Sequence, residues 1–184
     1  MNKKRVNDIF YSLQGEGHNT GRAAIFIRFS GCNLRCPFCD TDFSRYEELS
    51  DDDIIERIKD FPSRFVVLTG GEPSLQADKL HAHGYEIAME TNGTHPVPTG
   101  IDWTTCSPKG VTNIESCDEL KVIFEENTTT PDDHGIQSRY RYLQPCDVGD
   151  AERNARIIQR CLDYILQHPE WRLSLQTHKL AGFK

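Results

Sequence analysis

The apolar residues fall in short runs separated by polar clusters, and most runs have the length and the β-branched and aromatic content of strands. They are 23–29 (AAIFIRF), 65–68 (FVVL), 85–89 (YEIAM), 103–106 (WTTC), 120–124 (LKVIF), 140–143 (YRYL) and 171–175 (WRLSL). Helical signals are fewer. Ser50 and the three Asp after it open SDDDIIERIKDF with a capping hydroxyl and early carboxylates, which satisfy exposed N–H groups at a helix start. QADKLHAHG, ending at Gly84, is a shorter candidate. The longest is 151–168, with a stripe of Ala155, Ile158, Cys161, Leu162, Ile165 and Leu166 and with Pro169 just beyond its end.

Three helices against six or seven strands are too few for a full alternating barrel. The pattern predicts an α/β fold, a parallel sheet curled into a partial, TIM-like (β/α)6 barrel with reduced helix content because some crossovers are loops. No internal repeat, low-complexity segment or linker interrupts it, so residues 1–184 read as a single domain.

On this map the polar clusters take consistent places. GCNLRCPFCDT follows the first predicted strand, TGGEPS (69–74) the second, ETNGT (90–94) the third and SPKG (107–110) the fourth. QPCD (144–147) and QTHK (176–179) end the last two. In parallel α/β architectures the C-terminal strand ends gather on one rim, and that rim carries the site.

Composition narrows what the site meets. Charged residues at 27% and hydrophobic residues at 37% fit an ordinary soluble protein. A formal charge of −7, with no block of Lys or Arg, argues against tracking a nucleic-acid backbone. No stretch of about 18 apolar residues is present, and the start MNKKRVNDIFYSLQGEG lacks the apolar run of a signal peptide. A cytoplasmic protein without a membrane span is therefore expected. In a reducing compartment its seven cysteines serve ligation, catalysis or packing.

Three of those cysteines change the picture most. Cys32, Cys36 and Cys39 form C-x-x-x-C-x-x-C within RFSGCNLRCPFCDTDF. A structural zinc site with His18 or His95 as fourth ligand is one use, but zinc loops more often show paired C-x-x-C halves, and no second half exists here. The spacing suits a [4Fe-4S] cluster in which three irons take thiolates and the fourth stays open for chemistry.

With Gly70-Gly71-Glu72-Pro73 at the next strand end, the triplet resembles the radical S-adenosylmethionine (SAM) enzymes. A closer resemblance covers nearly the whole chain. FYSLQGEGHNTGRAAIFIRFSGCNLRCPFCDTDF, FVVLTGGEP, METNGT, SPKG, ELKVIF, LQPCD and WRLSLQTHK are similar to the 7-carboxy-7-deazaguanine synthase family of 7-deazapurine (queuosine precursor) biosynthesis. The resemblance implies a reduced radical-SAM partial barrel, assembled as a homodimer, with the cluster's open iron chelating the methionine end of SAM. It implies a lyase that contracts the ring of 6-carboxy-5,6,7,8-tetrahydropterin to 7-carboxy-7-deazaguanine, releases ammonia and regenerates SAM. Mg²⁺ orients the substrate, and a flavodoxin-like donor supplies the electron. Because a SAM-derived radical does the chemistry, no side chain is assigned as catalytic.

Residue roles follow from the resemblance position by position. Leu13, Gln14, Gly15 and Glu16 match the substrate-binding segment ahead of the first predicted strand, although the turn-prone GEG also suits an ordinary hairpin turn. Arg28 interrupts an apolar strand, and a buried guanidinium requires an anion. That anion is either an internal carboxylate or, as the resemblance implies, the substrate's C6 carboxylate, which suits the planar fork of donors. Thr69, His178 and Lys184 also match the substrate side, Lys184 through the α-carboxylate that ends LAGFK, so a C-terminal tag is expected to impair activity.

Thr41, otherwise a turn former after Asp40, matches the family's hydroxyl ligand to Mg²⁺. Water and substrate oxygens must complete that octahedron. Phe38, Cys39, Asp40, Gly71, Glu72, Ser107, Pro108, Lys109, Gln144, Pro145, Cys146 and Asp147 match SAM-contacting segments, with Glu72 accepting from the methionine ammonium. Nothing requires a thiol at Cys146. Cys106, Cys117 and Cys161 are too scattered for a second cluster, and His81 and His83 read as solvated.

Two rivals use part of the same pattern. An activase that installs a glycyl radical on a partner protein shares the triplet and GGEP but not SLQGEG or QTHK. A non-catalytic zinc module shares the triplet alone.

Overall fold

The apolar runs assemble into one sheet of nine strands in the computed structural model, which describes residues 3–37, 39, 41–77 and 83–184. In chain order the strands are β1 (Lys4–Leu13), β2 (Ala23–Phe29), β3 (Glu47–Leu49), β4 (Phe65–Gly70), β5 (Glu86–Thr91), β6 (Trp103–Cys106), β7 (Ser116–Phe124), β8 (Gln137–Pro145) and β9 (Arg172–Leu173). Their order across the sheet is β3-β1-β2-β4-β5-β6-β7-β8-β9. Every neighbouring pair from β2 to β9 is parallel. The fold class is the expected α/β one, with seven parallel strands and few helices. It is not a closed barrel, since β3 and β9 lie at opposite edges.

Strand β2 shows why its run is continuously apolar. Ile25, Ile27 and Phe29 pack on one face and Ala24 and Phe26 on the other, and a strand buried on both faces has no polar side to alternate. The outer face is covered by two helices. From α1 (Asp51–Ile58), Ile54 and Ile58 join Ile25, Ile27 and Leu68. From α2 (Ala151–Gln167), Ile157 and Cys161 join Leu120, Val122, Phe124 and Leu143. Both helix starts carry their expected or equivalent caps. Ser50 accepts from the Asp53 N–H at 3.2 Å while Asp53 accepts from the Ser50 N–H at 2.9 Å, and Asp150 accepts from the Arg153 N–H at 2.9 Å. The connections from β5 through β8 are loops. Among the described residues no helix is long and apolar enough to cross a membrane.

Several expectations are corrected. The α2 stripe runs through Ile157, Cys161, Tyr164 and Ile165, whereas Ala155, Ile158 and Leu166 are exposed, Leu166 at 83%. Adjacent Ile157 and Ile158 each fit a helical period, and the sheet takes the face that also presents Tyr164. Tyr85, Trp171, Ser174 and Leu175 fall outside their strands. The candidate helix at 76–84 falls partly, with His81, on residues 78–82, outside the described residues, and a single 3₁₀ turn, Pro73–Leu75, precedes it. Strands β1 and β3, pairing antiparallel to the β2 side, were not expected, and neither was a short helix α3 (Thr177–Ala181).

Strand register sets the inner face. Arg28 of β2 pairs with Thr69 of β4, Glu90 of β5 with Thr105 of β6, and Thr105 with Glu119 of β7. Thr69 donates to Glu90 at 2.8 Å, which joins the two halves into one transverse row of polar side chains. Below it lies an apolar floor of Phe10, Phe26, Phe65 and Trp103.

Candidate active site

A cavity of about 320 Å³ opens above this row, within the size range of small-molecule sites. Its walls come from β1, β2 and β4 through β8, from the loop between β1 and β2 and the loops at the C-terminal strand ends, and from α3. Nearly every site residue expected from the sequence lines it. Leu13, Gln14, Gly15, Glu16, Arg28, Thr69, His178 and Lys184 do, as do Cys32, Cys36, Cys39 and Thr41. So do Gly71, Glu72, Ser107, Lys109, Gln144, Pro145, Cys146 and Asp147. Pro108 is buried but does not line the cavity. Phe38 and Asp40 lie outside the described residues.

The loop after β2 carries the three thiols, and two neighbouring strand ends brace it. The Gly71 N–H donates to Phe29 O at 2.9 Å and the Glu72 N–H to Gly31 O at 3.0 Å. From the loop after β5, Asn92 Nδ2 donates to Asn33 Oδ1 at 3.2 Å and lies 3.8 Å from Cys32 Sγ. Asn33 Nδ2 in turn donates to Thr94 Oγ1 at 2.9 Å. All three cysteines are unpaired thiols. Among the described residues no three His, Cys, Asp or Glu side chains converge on a point that would hold a single ion. A cubane needs three thiolates spread over three iron atoms rather than converged on one, and the loop offers them on one wall of the cavity.

Glu72 ties two of these segments together. Its Oε1 accepts from the Ser74 N–H at 3.1 Å, Ser74 Oγ at 2.6 Å and Thr91 Oγ1 at 2.6 Å, and its Oε2 from the Asn92 N–H at 2.7 Å. One oxygen is saturated and the other retains a lone pair, so a single further donor fits.

The opposite wall holds charge. Lys121 of β7 forms an ion pair with Glu16, and the two side chains are 6% and 16% exposed. Glu16 Oε1 also accepts from Gln144 Nε2 at 3.2 Å and Gln176 Nε2 at 2.8 Å. Gln14 accepts from the Glu16 N–H at 3.1 Å and donates to Glu90 Oε1 at 3.0 Å. Burial pushes the Glu16 carboxyl up, but the charge and hydrogen bond of Lys121 outweigh it and bring it down to about 2. Burial lowers Lys121, yet Glu16, Glu90 and Glu119 hold it well above the usual lysine range. Lys109, whose Nζ donates to Ser107 Oγ at 2.6 Å, is pushed down to about 8 by burial and by Lys121.

Arg28 has a different character. Its Nε is buried without a hydrogen-bond partner, and its guanidinium carbon lies 5.8 Å from the centre of the Phe10 ring. The internal carboxylate that would have satisfied it is not found among the described residues. A guanidinium on a cavity wall with an unpartnered Nε fits an incoming carboxylate.

Residues 26–166 match the model of the Radical SAM superfamily. The chain is 46% identical to the 7-carboxy-7-deazaguanine synthase of Bacteroides thetaiotaomicron over 98% of its length and 99% of that protein's. It is 41% identical to the enzyme of the same name from Bradyrhizobium diazoefficiens, covering 97% and 98%. The chain belongs to the 7-carboxy-7-deazaguanine synthase family. Its fold matches the crystal structure of QueE from Escherichia coli with a TM-score of 0.75 at 28% identity, over 95% of this chain and 94% of that one.

Within this family frame, some placements differ from the sequence reading. Leu13 to Glu16 precede β2, the first strand predicted, as expected, but they follow an unpredicted strand. Leu13 ends β1 and Gln14 to Glu16 open the loop of a hairpin from β1 to β2, so the hairpin and binding-segment readings describe the same residues. His178 sits on α3 rather than at a strand end, and a Cβ on Gly15 would lie 2.5 Å from its Nδ1. Asp147 accepts from Lys179 at 2.6 Å, the Gly149 N–H at 3.0 Å and Asn154 at 2.7 Å, bonds that hold its carboxyl far below the usual range. Lys184 reaches back to β1, where its Nζ lies 2.5 Å from Asp8 and its carbonyl accepts from Ser12 at 2.6 Å.

Glu90, Lys121 and Gln176 were missed as site residues. The signal for Lys121 was a lone lysine inside LKVIF, where a period of two turns Glu119 and Lys121 to the face opposite Leu120 and Val122.

Proposed function

We propose that the chain catalyses the radical ring contraction of 6-carboxy-5,6,7,8-tetrahydropterin to 7-carboxy-7-deazaguanine, with release of ammonia and with SAM regenerated. Three unpaired thiols and an arginine whose Nε has no partner line one cavity in a member of this family, and that pairing carries the reading. Cys32, Cys36 and Cys39 would hold a [4Fe-4S] cluster. Gly71, Glu72, Ser107, Lys109 and the segment 144–147 would hold SAM beside it, and Thr41 would give Mg²⁺ one oxygen. When bound, the cluster and SAM together supply one-electron cleavage of a C–S bond and a carbon radical that takes hydrogen from C6 of the substrate.

The chain's own groups bind, orient and shield. Arg28, whose Nε finds no partner within the fold, binds the C6 carboxylate. Gln14, Glu16 and Glu90 face the donor-rich pyrimidine edge, with Thr69 fixing one oxygen of Glu90. Helix α3 closes the site from one side, held where the Thr177 N–H and Oγ1 donate to Gly15 O at 3.0 and 2.9 Å. His178 and Lys184 line the same cavity. Fixing the reacting carbon and excluding water is what radical chemistry requires of a protein.

A flavodoxin-like reductant is part of this proposal, supported by exposed Cys39 with exposed Arg35 and Arg45 near it in sequence. So are a homodimer, on the family resemblance, and a cytoplasmic setting, supported by seven unpaired cysteines. The test is anaerobic incubation of the reconstituted protein with reductant, SAM, Mg²⁺ and the carboxy-tetrahydropterin. Appearance of the deazaguanine carboxylate without any protein partner supports the reading. SAM cleavage with no deazaguanine would reject it.

A further inference from the structure

Lys121 is an unexpected residue for its position. Its strand neighbours Leu120, Val122 and Phe124 are buried apolar residues, and a buried ion pair is generally no more stabilising than apolar side chains of similar volume. An ammonium kept at such a place calls for a use other than stability. Its partner is held on every side. Glu16 Oε1 already accepts from Gln144 and Gln176, its backbone N–H is fixed by Gln14, and its Oε2 meets Lys121. Of roughly four acceptor positions on a carboxylate, three are filled, and the remaining one belongs to a side chain that lines the cavity.

We propose that Lys121 is a positioning residue: it keeps Glu16 ionised and fixed in orientation, so that the remaining lone pair accepts from the N–H donors of a fused 2-amino-4-oxopyrimidine ring. The inference rests on the pterin reading above and assigns the ring's donor edge to this corner. Charge-assisted bonds of this kind need the acceptor deprotonated. Burial works against that, and the positive charge of Lys121 overcomes it. The groups facing Glu16 and Lys121 are Glu90 from β5, Lys109 from the loop after β6, Glu119 from β7 and His178 from α3. Glu90 and Glu119 add negative charge. Without Lys121, both burial and these carboxylates favour the protonated form of Glu16.

The experiment is anaerobic calorimetric titration of the SAM-loaded, oxidised holoenzyme with the carboxy-tetrahydropterin, in which no turnover occurs. Wild type, Lys121→Met, Lys121→Arg, Glu16→Gln and the Met/Gln double variant are compared across roughly pH 6–9. The wild type is expected to bind with little pH dependence on Glu16, because that carboxylate is ionised throughout. Lys121→Met should bind about 10-fold or more weakly near neutrality and recover as pH rises and Glu16 ionises. Lys121→Arg should stay close to wild type, and the double variant should be no weaker than Glu16→Gln alone. A Lys121→Met affinity equal to wild type, or lowered equally at every pH, overturns the proposal. Should Lys121→Met lose SAM binding through misfolding, the arginine variant decides: matching Glu16→Gln overturns the proposal, and matching wild type supports it. A wild-type protein that binds SAM but no pterin would overturn the pterin reading, and this assignment with it.

Discussion

Gly71 lies against the backbone of Gly31 so closely that a Cβ on Gly71 would stand 1.9 Å from Gly31 O. Gly31 directly precedes Cys32, so the end of β4 and the thiol loop share one backbone contact, with the Glu72 N–H donating to the same oxygen. Gly71→Ala therefore pushes on the loop rather than on a flexible side chain. Overpacking of this kind costs about 1–3 kcal/mol. The expected outcome is a folded protein with reduced iron and sulfide per chain and SAM affinity weakened at least several-fold, read by metal analysis and titration.

Arg28→Met removes a guanidinium whose Nε is buried and unpartnered. Deleting an unsatisfied group costs the fold nothing, so the thermal midpoint of the apoprotein should equal or exceed that of wild type. Affinity for the carboxylated pterin should fall roughly 10–100-fold, while a pterin lacking the C6 carboxylate binds unchanged. Paired titrations of the two ligands check this.

Glu72→Gln leaves the shape and changes the acceptor count. Four donors converge on the Glu72 carboxylate, from Ser74, Thr91 and Asn92, and Glu72 is 1% exposed. An amide nitrogen cannot accept, so at least one buried donor is stranded, at about 1–3 kcal/mol. Differential scanning calorimetry should show a thermal midpoint lowered by roughly 2–12 °C, given about 2–4 °C per kcal/mol for a chain of this length.

Much of this was legible beforehand because parallel strands buried on both faces leave uninterrupted apolar runs, as in AAIFIRF and FVVL. Their polar ends then marked the rim. Strand β1 was not legible, because Lys4, Arg5, Asn7 and Asp8 fall in an antiparallel strand near the sheet edge, where polar residues are tolerated. Helix α3 is five residues long and is positioned by tertiary bonds from Thr177 to Gly15, which local propensity does not reveal. Arg28 stood out as a lone charge in an apolar strand. Lys121 gave the same signal inside LKVIF, but only the strand's place in the sheet shows that it lines the cavity.

Glu16 also sets an acid limit on the fold. Its folded pKa is depressed, from an ordinary value of 4.5 to about 2, by Lys121 and Gln176 against an opposing burial effect. A depressed carboxyl stabilises the fold above its unfolded pKa, and that stability is lost as pH falls through the window from 4.5 toward 2. The loss is on the order of 3 kcal/mol. Glu16→Gln has no such proton to take up, so urea midpoints measured between those pH values should slope less steeply than in wild type.

Most direct of all is Mössbauer spectroscopy of the protein reconstituted anaerobically with enriched iron and sulfide, before and after SAM is added. The expected spectrum is that of a [4Fe-4S] cluster in which one iron differs from the other three and changes its isomer shift when SAM binds. A cluster whose four irons ignore SAM, or a protein that assembles none while Cys32, Cys36 and Cys39 are reduced and intact, would contradict it.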